Sequence, residues 1–393
     1  MKAKIDKEKA ERVYSKSIKL LKELQLKNGG ILASPKGQRY AYVYPRDACI
    51  AILAFISAGM YYEARKGLEF LFKHQLRNGA FAQRYDSNGK DCSYKPIQQD
   101  CVGLVLYSYA KFFEKTKEKK FALKYWKNAR KAVDYLKTKL TKKKGLIFAD
   151  NSIHEFPPYE KGLEIFANAV CCAGIRDCYK QGKLFGKKAE ELNKMSEKIR
   201  KGIERYLWNP RMKSFIKTIR IYESSSVEEY IDASALALVD YHVLDDNDKR
   251  IHSTVDRIER ELWHKKLGGI CRYKKFTGRN NGGYGPWPHF TLIMARHFIA
   301  RKKREKAIKY FNWVLDISYE DLIPEHIATK EEFENWVTDF KSAGILREDR
   351  KLMLENTRKH PTFKKGIAYS VLPLMWAHAD FIRTWNLIKQ YII

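Results

Sequence analysis

The sequence predicts an all-α protein, an (α/α)6 toroid or barrel in which six inner helices are sheathed by six outer ones. Two observations carry this reading. Apolar periodicity near 3.6 residues runs from end to end, whereas extended character is confined to short pieces such as RYAYVY and GLIFAD. The periodic segments also come in successive pairs of unequal character.

In chain order, the spacing places helices at about 7–27, 47–60, 61–75, 98–115, 120–138, 161–181, 186–207, 229–242, 249–263, 287–301, 303–317 and 367–390. CIAILAFISAGM, CVGLVLYSYAKFF, IFANAVCCAGI, IDASALALVDY and FTLIMARHFI are apolar almost all round, so they must be buried on every side. KKFALKYWKNARKAVDYLK, KKAEELNKMSEKIRKGIERYL and REKAIKYFNWVL have one apolar face and a lysine-rich one, which belongs at the surface. An open solenoid would show a fixed sequence period. None is found, so the ring closes.

In such a ring, the loops leading into the inner helices converge on one mouth. Those loops hold the polar and aromatic residues: GILASPKGQRYAYVYPRD, DSNGKDCSYKPIQQD, ADNSIHEFPPYEKG, GGICRYKKFTGRNNGGYGPWP and IPEHIATK. Loops at the other pole are brief and basic. Function is expected at the mouth. The charged stretch 329–366, with two expected short helices, interrupts the pairing and reads as an insertion near the mouth of a single domain spanning 1–393.

Of 393 residues, 45% are hydrophobic, which excludes a disordered chain. No window approaches the roughly 18–20 apolar residues of a membrane-spanning helix, and the charged N-terminus has no secretory h-region. The seven cysteines form no C-x-x-C pair, as in a protein of a reducing, cytoplasmic compartment. The net charge of +30 is spread over many helix faces without zinc-finger or RNP-type motifs. No specific nucleic acid or membrane partner is expected; the charge governs solubility and encounter.

Arg46-Asp47 precedes a wholly apolar helix. Asp47 can serve as a helix cap, yet the adjacent arginine and Tyr40, Tyr42 and Tyr44 suit a polyhydroxyl ligand equally well. Sugars present hydroxyl donors and acceptors together with apolar C–H faces. Glu155, in ADNSIHEF, and Glu325, in IPEH, lie in loops of the same pole. Two carboxyl groups there can divide the work of breaking a glycosidic bond. One gives a proton to the leaving oxygen and the other activates water.

Five segments, in order from about residue 28 to 385, resemble glycoside hydrolase family 15, the glucoamylase family. GGILASPKGQRYAYVYPRDA is similar to its opening loop, ADNSIHEF to its acid segment, GGICRY…GGYGPWP to its sugar-lining loop, IPEH to its base segment and PLMWAHADFI to its closing helix. The resemblance implies an (α/α)6 barrel and inverting, cofactor-free release of glucose from the non-reducing ends of α-glucans. It makes Glu155 the general acid and Glu325 the general base. Tyr44, Arg46, Asp47, Tyr94, Arg272, Trp287 and Trp376 become substrate-binding residues: Arg46 and Asp47 on the terminal sugar, Tyr94 supporting the acid, Arg272 and Trp287 lining the first sugar sites, and Trp376 packing near the base. No metal or organic cofactor is implied. Ile153, Phe156, Pro157 and Pro158 would desolvate Glu155 and keep it protonated, while a more polar loop and His326 would leave Glu325 ionised. The expected carboxyl separation is about 6.5–9.5 Å.

The chain departs from the family pattern at three positions. His154 and Tyr44 stand where tryptophans are usual, and Phe156 replaces a second glutamate. These point to an altered linkage or chain-length preference, which keeps trehalose and α-1,6-glucans open as substrates beside starch-like chains, and a catalytically weak sugar-binding homologue as a rival. The β-sandwich that precedes the barrel in many relatives is not expected. His378 reads as a hydrogen-bonded core histidine, and GRNNGG as a turn.

Overall fold

The chain order of α-helices begins α1 (Lys7–Leu24), α2 (Pro45–Ser57), α3 (Tyr61–Lys73), α4 (Gln99–Thr116), α5 (Lys119–Thr138), α6 (Ile165–Leu184), α7 (Glu190–Gly202) and α8 (Ala237–Asp240). It continues with α9 (Lys249–Leu262), α10 (Pro288–Ala300), α11 (Arg304–Ile317), α12 (Lys330–Ser342), α13 (Glu348–Lys359), α14 (Pro361–Lys364) and α15 (Met375–Tyr391). This computed structural model describes residues 4–151, 153, 161–219, 231–273, 285–342 and 348–393. The strands are short: β1 (Leu163–Glu164) pairs with β4 (Thr218–Ile219), β2 (Trp208–Asn209) with β3 (Ser214–Phe215), and β5 (His326–Thr329) with β6 (Ile367–Ser370), all antiparallel. The described residues contain no β-sandwich, and no described helix is long and apolar enough to cross a membrane.

The ring closes as the burial pattern requires. Helix α2 packs on α4, α4 on α6, α6 on α8, α8 on α10, α10 on α15, and α15 back on α2. Around them lie α1, α3, α5, α7, α9 and α11. The first helix is the outer partner of the last inner one, since α1 packs on both α15 and α11. Helix α9 shows the outer type plainly: Ile251, Val255, Ile258 and Leu262 form one buried stripe. Helix α10 shows the inner type, buried from Pro288 through Ile299.

Three expected helices differ from their sequence reading. Of the segment 229–242, residues 231–242 are described, and within them helix begins at Ala233, as a 3-10 turn (Ala233–Leu236) leading into the single turn of α8. Its start is set by Asp232, whose Oδ1 accepts from Ser234 N–H. The segment 367–390 begins as strand β6, because Ile367–Ser370 are claimed by the ladder to β5. Helix α15 starts only beyond Pro373. The expected helix 186–207 begins at Glu190 and ends in a π-helical turn, Ile203–Leu207.

Each inner helix before α15 is followed by an outer return helix, and α15 has α1 as its outer partner, so the inner N-termini share one pole. Arg46, Asp100, Glu164, Asp232, Trp287 and Leu374 all stand at or beside such a start. Helices α12–α14 leave from β5 and return through β6. Helix α13 rests on the first mouth loop: Asn356 Nδ2 donates to Gly37 O at 3.1 Å, and Arg39 meets Met353 Sδ.

Candidate active site

Glu325 is seated by backbone and by a histidine that holds the chain two residues before it. Its N–H is within 2.9 Å of Ser370 O and 3.1 Å of Val371 O, at the entrance to the β5–β6 ladder. Ile323 N–H donates to His378 Nε2 at 2.9 Å, and Leu374 N–H donates to Ile323 O. Nδ1 of His378 therefore carries the proton toward Ser17 Oγ, 2.7 Å away, and the Ser17 hydroxyl donates to Val13 O. Burial pushes the His378 pKa down to about 3. The histidine is a hydrogen-bonded core residue, as its sequence setting suggested, and it ties α1 and α15 to the loop that carries Glu325.

The Glu325 carboxyl is 7% exposed and accepts from the Tyr40 hydroxyl at 3.0 Å. The expected polar loop is thus a buried strand entrance. His326 adds no positive charge there: burial, with Arg272 and Arg39 nearby, pushes its pKa down to about 3. Its ring instead packs on Trp287, with centroids 4.6 Å apart, and on Trp336. A hydrogen bond donated to a carboxylate favours the ionised form, so Tyr40 supplies support that His326 does not.

Trp287 and Arg272 meet across an isolated bridge that joins Cys271 to Pro286. The Arg272 guanidinium lies 5.4 Å from the Trp287 ring centre. Both side chains are buried, yet Arg272 Nε and Nη2 and Trp287 Nε1 have no hydrogen-bond partner among the described residues. Three buried donors without acceptors are costly unless a ligand satisfies them. Gly285 makes the approach possible. Its φ is +72°, and a Cβ there would sit 1.8 Å from Ile327 O. Trp376 donates from Nε1 to Asp380 Oδ2 at 2.9 Å, and its ring packs on His289, which in turn meets Trp287.

At the opposite rim, Arg46 and Asp100 form a buried ion pair through Nε and Oδ2. The N-cap of α2 is Tyr44, without a side-chain cap bond; Asp47 lies within the first turn and is not the cap residue. Tyr44 is buried, and its hydroxyl is 3.4 Å from Arg84 Nη1. The Arg84 guanidinium is sandwiched between Tyr42, at 4.1 Å, and Tyr94, at 4.4 Å. Tyr40 and Tyr44 stand edge to face with centroids 6.0 Å apart, linking this rim to Glu325.

Glu155, with His154, Phe156, Pro157 and Pro158, lies outside the described residues, as does the separation of the two carboxyl groups. The ends of its loop are described. Ala149 and Gly162 exchange both backbone hydrogen bonds, at 2.8 and 3.1 Å. Asp150 N–H donates to Gln99 Oε1, and Gln99 Nε2 returns a bond to Asp150 Oδ2. Gln98 Nε2 donates to Asn151 Oδ1. The loop thus leaves and returns beside the start of α4, next to Asp100.

Sequence reasoning missed Asp100, Arg84 and the partnership of Tyr40 with Glu325. It also missed Glu164, which caps α6 by accepting from Ala167 N–H at 2.7 Å. Burial pushes the Glu164 pKa up to about 7, with Asp100 adding to the rise against the capped N–H groups and Lys217. The one available signal was the recurrence of an acidic residue at the start of an all-apolar helix, as QQD, GLE and RD. Among the described residues, no group of three or more His, Cys, Asp or Glu converges to hold a metal ion.

A barrel of six helix pairs with carboxyl, arginine and aromatic side chains at one mouth is the frame of a glycoside hydrolase. Residues 76–386 match the model of glycosyl hydrolases family 15, and the chain belongs to that family. A curated relative, an uncharacterized glycosyl hydrolase of Methanocaldococcus jannaschii, is 27% identical over 340 residues, covering 80% of this chain and 52% of the relative. The chain therefore spans about half the length of that protein. Among solved structures, a wild-type glycosidase superposes with a TM-score of 0.74 at 15% identity, covering 98% of this chain and 99% of the other. A bacterial glucoamylase complexed with acarbose gives 0.70 at 16% identity, covering 97% and 58%. At these identities the structural matches establish the fold alone.

Proposed function

We propose that the protein is an inverting, exo-acting α-glucoside hydrolase that releases glucose from the non-reducing ends of α-glucans. Glu325 acts as general base and takes a proton from water as the water oxygen bonds to the anomeric carbon. Glu155 acts as general acid and passes its proton to the departing glycosidic oxygen. The observation that carries this reading is the buried Glu325 carboxyl under the Tyr40 hydroxyl, at the same mouth as the unsatisfied donors of Arg272 and Trp287. Arg46 and Asp47, with Tyr44 and Tyr94 beside Arg84, bind the terminal sugar, and Trp376 backs the Trp287 side through His289. A glucosyl ring meets those donors with hydroxyl oxygens and the aromatic faces with its C–H groups. A glucose complex of a structurally similar glycosidase variant and the acarbose complex of the glucoamylase support the substrate class. The seven free cysteines support a reducing, cytoplasmic setting.

The test is glucose release from maltotriose, isomaltose and trehalose, followed by NMR of the first-formed anomer, for wild type, Glu155→Gln and Glu325→Gln. Initial β-glucose, lost in both variants, supports the assignment. Preference for isomaltose or trehalose moves the linkage and keeps the roles. Initial α-glucose, or full activity in either variant, overturns the mechanism. Absence of hydrolysis on all three, with sugar binding retained, favours a binding homologue.

A further inference from the structure

Three of the inner helices, α8, α10 and α15, end at the pole opposite the mouth around a cavity of about 640 Å³. That volume is ordinary for a small-molecule site. Its wall is aliphatic, built from Ile293, Ile299, Leu387 and Ile392 on α10 and the end of α15. Its floor is a salt-bridged set. Arg296 reaches Asp240 at 2.7 Å and Asp380 at 3.1 Å, and Arg383 reaches Asp380 at 2.9 Å and Asp240 at 3.4 Å. Two guanidinium groups and two carboxylates balance one another there.

The rim is not balanced. Lys302 and Arg304 line it and enter no ion pair among the described residues, while Asp246 is the acidic side chain there. His297 lines the same cavity. It is 2% exposed, neither ring nitrogen has a hydrogen-bond partner among the described residues, and the Asp246 carboxylate is 3.9 Å from Nδ1. Burial pushes the His297 pKa down to about 4, so at neutral pH the ring is uncharged, with one N–H to donate and one nitrogen to accept. A buried imidazole with both nitrogens unsatisfied is costly as it stands, and a ligand oxygen would relieve it.

We propose that this cavity is a binding site for a small amphipathic monocarboxylate, distinct from the sugar site. The alkyl chain lies against Ile293, Ile299, Leu387 and Ile392. The carboxylate meets the unpaired rim cations, Lys302 and Arg304, and accepts from the His297 imidazole. An amine of equal length meets like charge at this rim, and an alcohol gives up the charge-assisted contacts.

Calorimetry with sodium hexanoate and octanoate, 1-octanol and octylamine tests the proposal on the full chain. Octanoate is expected to bind one site. Two fewer methylenes should weaken it about 15-fold, and the alcohol and amine should bind at least about tenfold more weakly. The double variant Lys302→Asn, Arg304→Gln alters exposed positions. Asparagine tolerates the φ of +56° at residue 302. This variant should weaken octanoate about tenfold and leave 1-octanol unchanged. His297→Phe should also weaken octanoate; if it fails to fold, the surface variant decides alone. Equal binding of octanoate and octylamine, indifference of octanoate to the double variant, or competition by maltotriose in Glu325→Gln would each overturn the assignment.

Discussion

The Tyr40 hydroxyl lies 3.0 Å from Glu325 Oε1, across 285 positions of sequence. One residue comes from the first mouth loop and the other from the loop before β5, and the closed ring brings them together. A phenol donating to a carboxylate stabilises its charged form.

Replacing Tyr40 by Phe should therefore lower kcat on the preferred α-glucoside about tenfold. In the proposed mechanism, loss of the donated bond disfavours the ionised form of Glu325, so the acid limb of the rate profile should move to higher pH. A pH–kcat profile with an unmoved acid limb would contradict the role given to this contact.

His378 holds Ile323, two residues before Glu325, and is anchored by Ser17. Its Phe variant should cost about 2–3 kcal/mol in urea unfolding, since the Ile323 N–H and Ser17 hydroxyl lose a buried partner. The folded pKa of about 3 is below the unfolded value of 6.5. The unfolded chain binds the extra proton in that window, so this contribution is complete above pH 6.5 and lost as pH falls. The penalty of the variant should be largest at pH 7 and shrink toward pH 4.

Glu164 has the opposite sign. Its folded pKa of about 7 exceeds the ordinary 4.5. The folded state binds the proton more tightly, so its contribution is complete below pH 4.5 and lost as pH rises through 7. Glu164→Gln keeps an acceptor for Ala167 N–H and removes the titration. Relative to wild type it should gain stability between pH 5 and 8, up to about 3 kcal/mol. Parallel stability curves over that range would refute the shift.

Gly285 combines a φ of +72° with a Cβ site only 1.8 Å from Ile327 O. Alanine there should cost more than about 2 kcal/mol, because both the dihedral and the strand behind it must move. Glucose release should fall with it, since Trp287 and Arg272 are positioned by this approach. Unchanged denaturation midpoint and activity would show that the two segments can part freely.

Part of the candidate site was legible because its residues sit at helix starts, where all-apolar runs mark the inner helices. Arg46 and Asp47 were read from that position, and Trp287, Trp376 and Glu325 from the resemblance. Asp100 and Glu164 carried the same signal but were absorbed into helix assignments. Arg84 offered none: it lies in a polar loop, and its place comes from stacking between Tyr42 and Tyr94 and from hydrogen bonds to Cys92 O and the Tyr44 hydroxyl. The misread helix start at 367 has a tertiary cause as well. Strand β6 forms because β5 lies beside it, and no pattern within 367–370 announces the partner.

The order of apolar and one-faced helices, and so the closed double ring with a mouth, was written in local sequence, because burial on every side leaves a helix only an inner position. The environments of individual carboxyl groups were not. Whether Glu325 meets Tyr40, Asp100 meets Arg46, or His297 faces an open cavity depends on closing the ring to within an ångström. Hydrogen bonds and desolvation act over that distance, and sequence spacing does not encode it.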